Sequence, residues 1–203
     1  MTGETNRHRR SLRLQGYDYA QAGAYFVTIC TQGRACLFGD VVDGKMRLND
    51  AGRMVQAEWE ALRGRFSGID VDASIVMPNH AHGILLINPV GAPFMAPHDP
   101  GAMNPGADNP GAMNRAPTLG EIIRAFKAVA TRRLRQSGLS EFAWQRNYYE
   151  HIIRDESSLQ GIREYIMNNP LQWALDRENP AHVDAGLVGA GLKPARTSPW
   201  DGN

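Results

Sequence analysis

Apolar residues recur at two different periods along the chain, and the changes of period mark its elements. AYFVTICT (24–31) is a dense run of β-branched and aromatic residues and reads as a strand. Gln32-Gly33-Arg34 follows as a turn, and ACLFGDVV (35–42) reads as a second strand. The period then becomes helical: Met54, Val55, Trp59 and Leu62 share one face of 49–62, with Asn49 or Asp50 as the N-cap. IDVDASIVMP (69–78) alternates and then turns apolar, and HAHGILLI (80–87) follows at once. These read as two antiparallel strands turning at Pro78-Asn79. Thr118 and Glu121 have capping-box spacing, opening a helix to Gln136 with Gly138 as its stop. A last helix is predicted over 156–168, ending before Pro170 because the residue preceding a proline disfavours helix. Strands gathered early with helices interspersed predict an α+β fold with a largely antiparallel sheet.

Between these elements, residues 89–117 have no period at all. Seven of the 12 prolines and four of the 21 glycines fall there, around a near-repeat PGAMN (100–104), PGADN (105–109), PGAMN (110–114). Such a segment buries too little apolar surface to offset its ordering entropy and reads as a flexible insertion. The organisation expected is a basic arm (1–22), one domain (23–177) interrupted at 89–117, and a loose tail (178–203). The 203 residues then reduce to an ordered core that suffices for one domain and not two. Cys30 and Cys36 form neither a disulfide framework nor a CxxC pair, the first residues contain no apolar run, and no stretch has the apolar length of a membrane span. The expectation is a cytoplasmic protein with reduced thiols and no membrane partner.

His80-Ala81-His82 is the most informative chemistry. On a strand, residues two apart point to one face, so both imidazoles reach a single ion. The bland alternative is an uncoordinated, solvent-facing pair at a strand end. Two histidines need a further ligand, and the last helix offers one: Tyr165 and Asn169 are four apart and share a face. An amide oxygen beside two imidazoles suits Mg²⁺ or Mn²⁺. Tyr165 would stand beside that ion, which is the help a phenol with a pKa of about 10 needs to act as a nucleophile. Spacing alone slightly favours packing, since Tyr165 flanks the stripe Leu159, Ile162, Ile166. Tyr148-Tyr149 is the competing tyrosine source, and reads as core or a base-stacking surface. His151 beside Ile152-Ile153 reads as structural.

Charge changes the picture only once it is divided along the chain. The sum is +1, which alone makes no case for nucleic acid. Yet Arg7, Arg9, Arg10 and Arg13 face only Glu4 in the first 16 residues. Residues 115–146 set seven basic residues, among them Arg124, Lys127, Arg132 and Arg146, against Glu121 and Glu141. A basic arm and a basic helix fit a phosphate-tracking surface as well as they fit a solvated helix face. The chain has no glycine-rich phosphate loop, GxSxG elbow or paired CxxC motif.

Five segments together, GAYFVTICTQGRACLFG (23–39), VMPNHAHGILL (76–86), IIRAFKAVATRRL (122–134), WQRNYYEHIIRDE (144–156) and YIMNNPLQW (165–173), resemble the HUH single-tyrosine transposases, the REP-associated branch in particular. The resemblance runs from about Arg9 to Pro180, outside the insertion. It implies a ferredoxin-like α+β domain, His80 and His82 as metal ligands with Asn169, and Tyr165 as the nucleophile, which reverses the preference for packing. It further implies Mg²⁺ or Mn²⁺, a 5′-phosphotyrosine intermediate on single-stranded DNA, and hairpin DNA of the REP-palindrome kind held by the basic residues Arg9, Arg10, Arg124, Lys127, Arg132 and Arg146. The assembly implied is a monomer or homodimer, and the location implied is with the nucleoid. Residue 81 is Ala where the family carries a bulkier apolar group. The competing readings are a non-catalytic hairpin-binding protein of the same fold and a histidine-triad phosphohydrolase. Ile84, standing where the latter needs a third alternating histidine, argues against it.

Overall fold

The computed structural model describes residues 21–88, 117–176 and 178–181. Its strands are β1 (Gly23–Cys30), β2 (Gly39–Val42), β3 (Lys45–Leu48), β4 (Ile69–Val76), β5 (His80–Ile87) and β6 (Tyr149–Ile153). The helices are α1 (Asp50–Glu60), α2 (Leu62–Arg65), α3 (Leu119–Gln136) and α4 (Glu156–Gln172). Four strands form one sheet in the order β4-β5-β1-β6, and every neighbouring pair is antiparallel. With the β2–β3 hairpin set aside, the chain runs β-α-β-β-α-β with its first strand in the middle, which is the ferredoxin-like arrangement. The α+β expectation holds.

Alternation along β1 and β5 divides the core in two. Tyr25, Val27 and Ile29 with Ala81, Leu85 and Ile87 pack under α1 and α3, through Val55, Trp59, Ile122, Phe126, Ala130 and Leu134. Ala24 and Phe26 with Ile84 and Leu86 pack under α4, through Leu159, Ile162 and Ile166. The basic helix α3 therefore lies on the face opposite α4, rather than around the even-numbered histidines of β5. Its capping box is formed as the spacing implies: Thr118 Oγ1 accepts from the Glu121 N–H, and the Glu121 carboxylate accepts from the Thr118 N–H at 2.8 Å.

Polar residues fix how the helices sit. Glu58 of α1, only 3% exposed, is clasped by Arg65 at 2.9 Å and by Arg133 of α3. Burial raises its pKa, but the two guanidinium hydrogen bonds outweigh that and hold the carboxyl below its ordinary value. On the other face Arg163 of α4 makes two hydrogen bonds to Asp72 of β4, at 3.0 and 2.7 Å. Lys127 Nζ donates to the carbonyls of Gln145 (2.9 Å) and Asn147 (3.1 Å), pinning the segment that leads into β6.

Two expectations are corrected, and a further strand is added that the sequence pattern did not predict. Only Gly39–Val42 of the segment 35–42 is strand, and its partner is β3, which the alternation did not reveal. Leu37 and Phe38 give their N–H groups to Pro78 O instead of to a strand, while Asp43 (φ 52) and Gly44 (φ 68) make the two-residue turn of the hairpin. Tyr149–Ile153 is an edge strand on β1. Finally, α4 runs through Pro170 to Gln172. The proline stands in the last turn, where it removes one helical N–H, and the chain tightens there into a 3-10 turn at Trp173–Leu175.

Candidate metal centre

Met77–Asn79 joins β4 to β5, with Pro78 O accepting from Leu37 and Phe38 and Asn79 O accepting from Thr31 N at 2.8 Å. That anchored turn delivers His80 and His82 to the face beneath α4, both buried. Their Nε2 atoms lie 3.0 Å apart. Phe26 stacks on His82 at 5.4 Å between ring centroids, and Trp173 lies 6.0 Å from His80.

The hydrogen-bond roles around His80 follow by elimination. Asn79 is wholly buried, and its Nδ2 donates to the carbonyls of Arg34 (3.0 Å) and Glu178 (2.6 Å). Both amide hydrogens are thereby used on acceptors, so Oδ1 is the atom facing His80 Nδ1 at 2.9 Å and it must accept. His80 thus carries its proton on Nδ1 and turns the Nε2 lone pair to His82. The Nδ1 of His82 lies 2.8 Å from Thr28 Oγ1, a hydroxyl able to donate or accept. His82 can therefore give an Nε2–H to His80, or turn a second lone pair into the same space with Thr28 accepting from Nδ1. Two converging imidazole lone pairs, each held from behind, are the arrangement of metal-ligating histidines. Burial pushes the His80 pKa down, against the nearby Asp176 carboxylate and with the help of Arg34, so the ring is neutral and able to ligate at neutral pH.

Oxygen donors stand around the pair. Asp176 Oδ2 is 3.9 Å from His80 Nε2, and the ligand atoms of His80, His82 and Asp176 all lie within 4.8 Å of one another. The Asn169 side chain lies against His80, is 2% exposed, and its Oδ1 has no hydrogen-bond partner among the described residues. An unsatisfied buried carbonyl costs about 1–3 kcal/mol, a cost that a cation would remove. The residues present thus fit a divalent ion. Tyr165, one turn before Asn169, places its ring 5.3 Å from that of His82 and edge-on to Phe26 at 6.0 Å.

His80, His82, Asn169 and Tyr165 are accordingly brought together. The basic residues are not part of this cluster. Arg124 and Arg132 are exposed on α3, across the sheet, and Arg146 is exposed in the loop before β6. Lys127 spends its ammonium on main-chain carbonyls, and burial pushes its pKa down to about 8. Arg9 and Arg10 lie outside the described residues, as do most of the arm, the insertion and most of the tail. The first residues of the tail are tied in: Glu178 accepts from Asn79 through its main chain and pairs with Arg34 at 2.9 Å. Sequence reasoning missed Asp176, Asn79 and Thr28. Thr28 was accessible in principle, because it is the β1 residue paired in register with His82.

Fold and site together define a ferredoxin-like domain with a candidate two-histidine metal centre on one sheet face. The chain belongs to the same family as a Haemophilus influenzae protein of uncharacterised function, with which it is 42% identical over 171 residues, covering 84% of this chain and 92% of that one. No protein-family model matches the sequence. In fold it is similar to a REP-associated tyrosine transposase solved bound to a REP hairpin, with a TM-score of 0.51 and 18% identity over 79% of this chain and 74% of that one. Among the described residues, no helix is long and apolar enough to cross a membrane.

Proposed function

We propose that the protein is a metal-dependent DNA strand transferase of the tyrosine transposase type, which nicks and rejoins single-stranded DNA beside a hairpin. The observation that carries this reading is the delivery of Tyr165 and Asn169, from one face of α4, against His80 and His82. The fold shared with a hairpin-bound transposase supports it.

In this reading His80 and His82, with oxygens of Asn169 and Asp176, hold a divalent ion, Mg²⁺ or Mn²⁺ by the mixed imidazole and oxygen donor set. Such an ion would supply positive charge to the scissile phosphate and to a nearby phenolate. Asn79 and Thr28 keep both imidazoles aimed at it. Phe26 and His82 hold the Tyr165 ring between them, so the phenol meets a phosphate in one orientation. Tyr165 Oη loses its proton and bonds to phosphorus as the bond to the 3′ oxygen breaks. The products are a 5′-phosphotyrosine and a free 3′-hydroxyl, and attack by a DNA hydroxyl on the same phosphorus reverses the step, so no nucleotide triphosphate is consumed.

Tyr149 is the one serious rival as nucleophile, since it is paired in register with Thr28 and lies 6.3 Å from Phe26 on the same face. The deciding experiment incubates the protein with labelled hairpin DNA bearing single-stranded flanks and Mn²⁺, then looks for an adduct that survives denaturation. The adduct is expected from the wild type and from Tyr148→Phe and Tyr149→Phe, and is expected to vanish in Tyr165→Phe and on chelation. Its persistence in Tyr165→Phe overturns the nucleophile. Tight hairpin binding with no adduct from any variant leaves the non-catalytic hairpin binder.

A further inference from the structure

A cleft of about 340 Å³ adjoins the two-histidine site, bounded by the β2–β3 hairpin, β4, α1 and α4, and it reaches His82. Its volume is at the low end of small-ligand pockets, enough for one aromatic ring system with its sugar. Met46, Leu48, Met167 and Pro170 give it apolar walls. Met167 stands two residues beyond Tyr165 and leaves a large apolar side chain 74% exposed at this place. Polar groups interrupt those walls. Ser74 and Gln56 line the cleft. Among the described residues lining it, Lys45 is the one charged side chain and none is a carboxylate.

Apolar surfaces for a ring face, an amide and a hydroxyl for a ring edge, and described walls free of negative charge suit a base on a polyanionic chain. We propose that this cleft receives one unpaired nucleobase of the DNA strand, the base adjoining the phosphate held at His80 and His82. The inference rests on the strand-transfer reading and names how that site selects its substrate: a base must leave the stack and enter here before its neighbouring phosphate is in place. An extended peptide adding to the outer edge of β4 fits less well. The register of β4 breaks between Val71 and Ser74. The Val71 N–H and the Ala73 N–H are taken by the Asp70 and Asp72 carboxylates, and the Val71 carbonyl by Arg63. Only Ser74–Val76 is left, too short for a strand to add.

The test is a scan of abasic sites. Hairpins with single-stranded flanks carry one abasic nucleotide at each flank position in turn, and their binding to the full chain bearing Tyr165→Phe is read by anisotropy in chelator, so that no chemistry intervenes. One position beside the cleaved phosphate is expected to weaken binding roughly 10-fold. Filling the cleft from its exposed rim with Ser74→Trp is expected to weaken intact DNA as much and to erase the difference between intact and abasic DNA at that position. Met167→Ala, a solvent-exposed change that leaves the fold alone, is expected to shrink that difference. A scan flat within twofold overturns the cleft, whether the true occupant is a peptide or nothing. So does an abasic penalty that neither variant reduces. The adduct assay, run in parallel on the wild type, separates the two readings. An adduct with a flat scan keeps strand transfer and removes the base site, whereas a position-specific penalty without an adduct keeps the base site and removes the chemistry.

Discussion

Along β5, Ala81, Gly83, Leu85 and Ile87 turn toward α1 and α3, while His80, His82, Ile84 and Leu86 turn toward α4. The first face is closed by a run of ring contacts: Trp59 edge-on to Phe126 at 5.2 Å, Phe126 tilted against Trp144 at 5.8 Å, and Trp144 tilted against Phe38 at 5.5 Å. The second is apolar at one end only, and passes into imidazoles, an amide and a carboxylate toward the start of β5. One strand thus serves a dry core with its odd residues and a candidate catalytic centre with its even ones. The consequence is mechanical: the histidines are positioned by packing on the side they do not face.

The sharpest test of that coupling is Gly83. A Cβ added there would stand 2.3 Å from Cζ2 of Trp59, in the middle of the packed face and one residue from His82. Gly83→Ala is expected to destabilise the protein by about 3 kcal/mol, read by chemical denaturation. The strand must also move off Trp59, so the folded variant should bind Mn²⁺ more weakly, measured by calorimetry. Loss of stability with metal affinity unchanged would show that the two faces are mechanically independent.

Asn169 inverts the comparison, because here the site is expected to cost stability. Its Oδ1 is buried and has no hydrogen-bond partner among the described residues. Asn169→Leu replaces it with an apolar group of similar size, and is expected to raise the metal-free stability by about 1 kcal/mol. The same change should lower Mn²⁺ affinity at least 10-fold if the amide is a ligand. A destabilised variant would mean that the amide is already satisfied, and would remove the strongest sign that an ion belongs there.

Much of the packed face was legible in the sequence, because periodicity reports which side of an element is apolar. Val55, Trp59 and Leu62 lie where their spacing puts them, and the capping box at Thr118 needs only four residues to be recognised. The members of the candidate site were legible, His80 and His82 by strand alternation and Asn169 by sharing a helical face with Tyr165. Spacing alone favoured packing for Tyr165, and only the family resemblance made it a candidate nucleophile. What remained hidden depends on register and on chain reversal. Thr28 meets His82 only because β1 pairs with β5 in one register, and Asp176 returns to His80 only because α4 continues through Pro170 before the chain turns back. Position in the fold also decided the basic helix: its charges could be counted, but not which face of the sheet α3 would take.

Removing the support behind an imidazole should have a smaller effect than removing a ligand. Thr28→Val deletes the hydroxyl that faces His82 Nδ1 and keeps the β-branched shape. Stability is expected to change by about 1 kcal/mol, and Mn²⁺ affinity to fall about 10-fold, as for groups that orient metal-bound histidines. Thr28→Ser keeps the hydroxyl and should restore the affinity. A Val variant that binds as tightly as the wild type would show that Phe26 alone sets the ring.

The smallest effect belongs to the pair that fastens α4 to the edge of the sheet. The hydrogen bonds from Arg163 hold the Asp72 carboxyl below its ordinary value, against a burial effect that raises it. A carboxyl whose folded pKa is depressed adds stability above its unfolded pKa of about 3.9, and loses that stability as pH falls through the folded value. Arg163 is 32% exposed and Asp72 18%, so solvent screens the pair and its share is about 1 kcal/mol or less. The wild type should therefore lose this increment in acid, below about pH 4, where Arg163→Gln has none to lose. Denaturation midpoints of the two proteins should differ at pH 7 and converge toward pH 2. Because the pair clamps the helix that carries Tyr165 and Asn169 and no part of the packed face, amide exchange in α4 should rise in the variant while exchange in α3 stays as it was. Equal increases in both helices would mean that the two faces open as one unit, and the comparison between them would then hold for packing but not for dynamics.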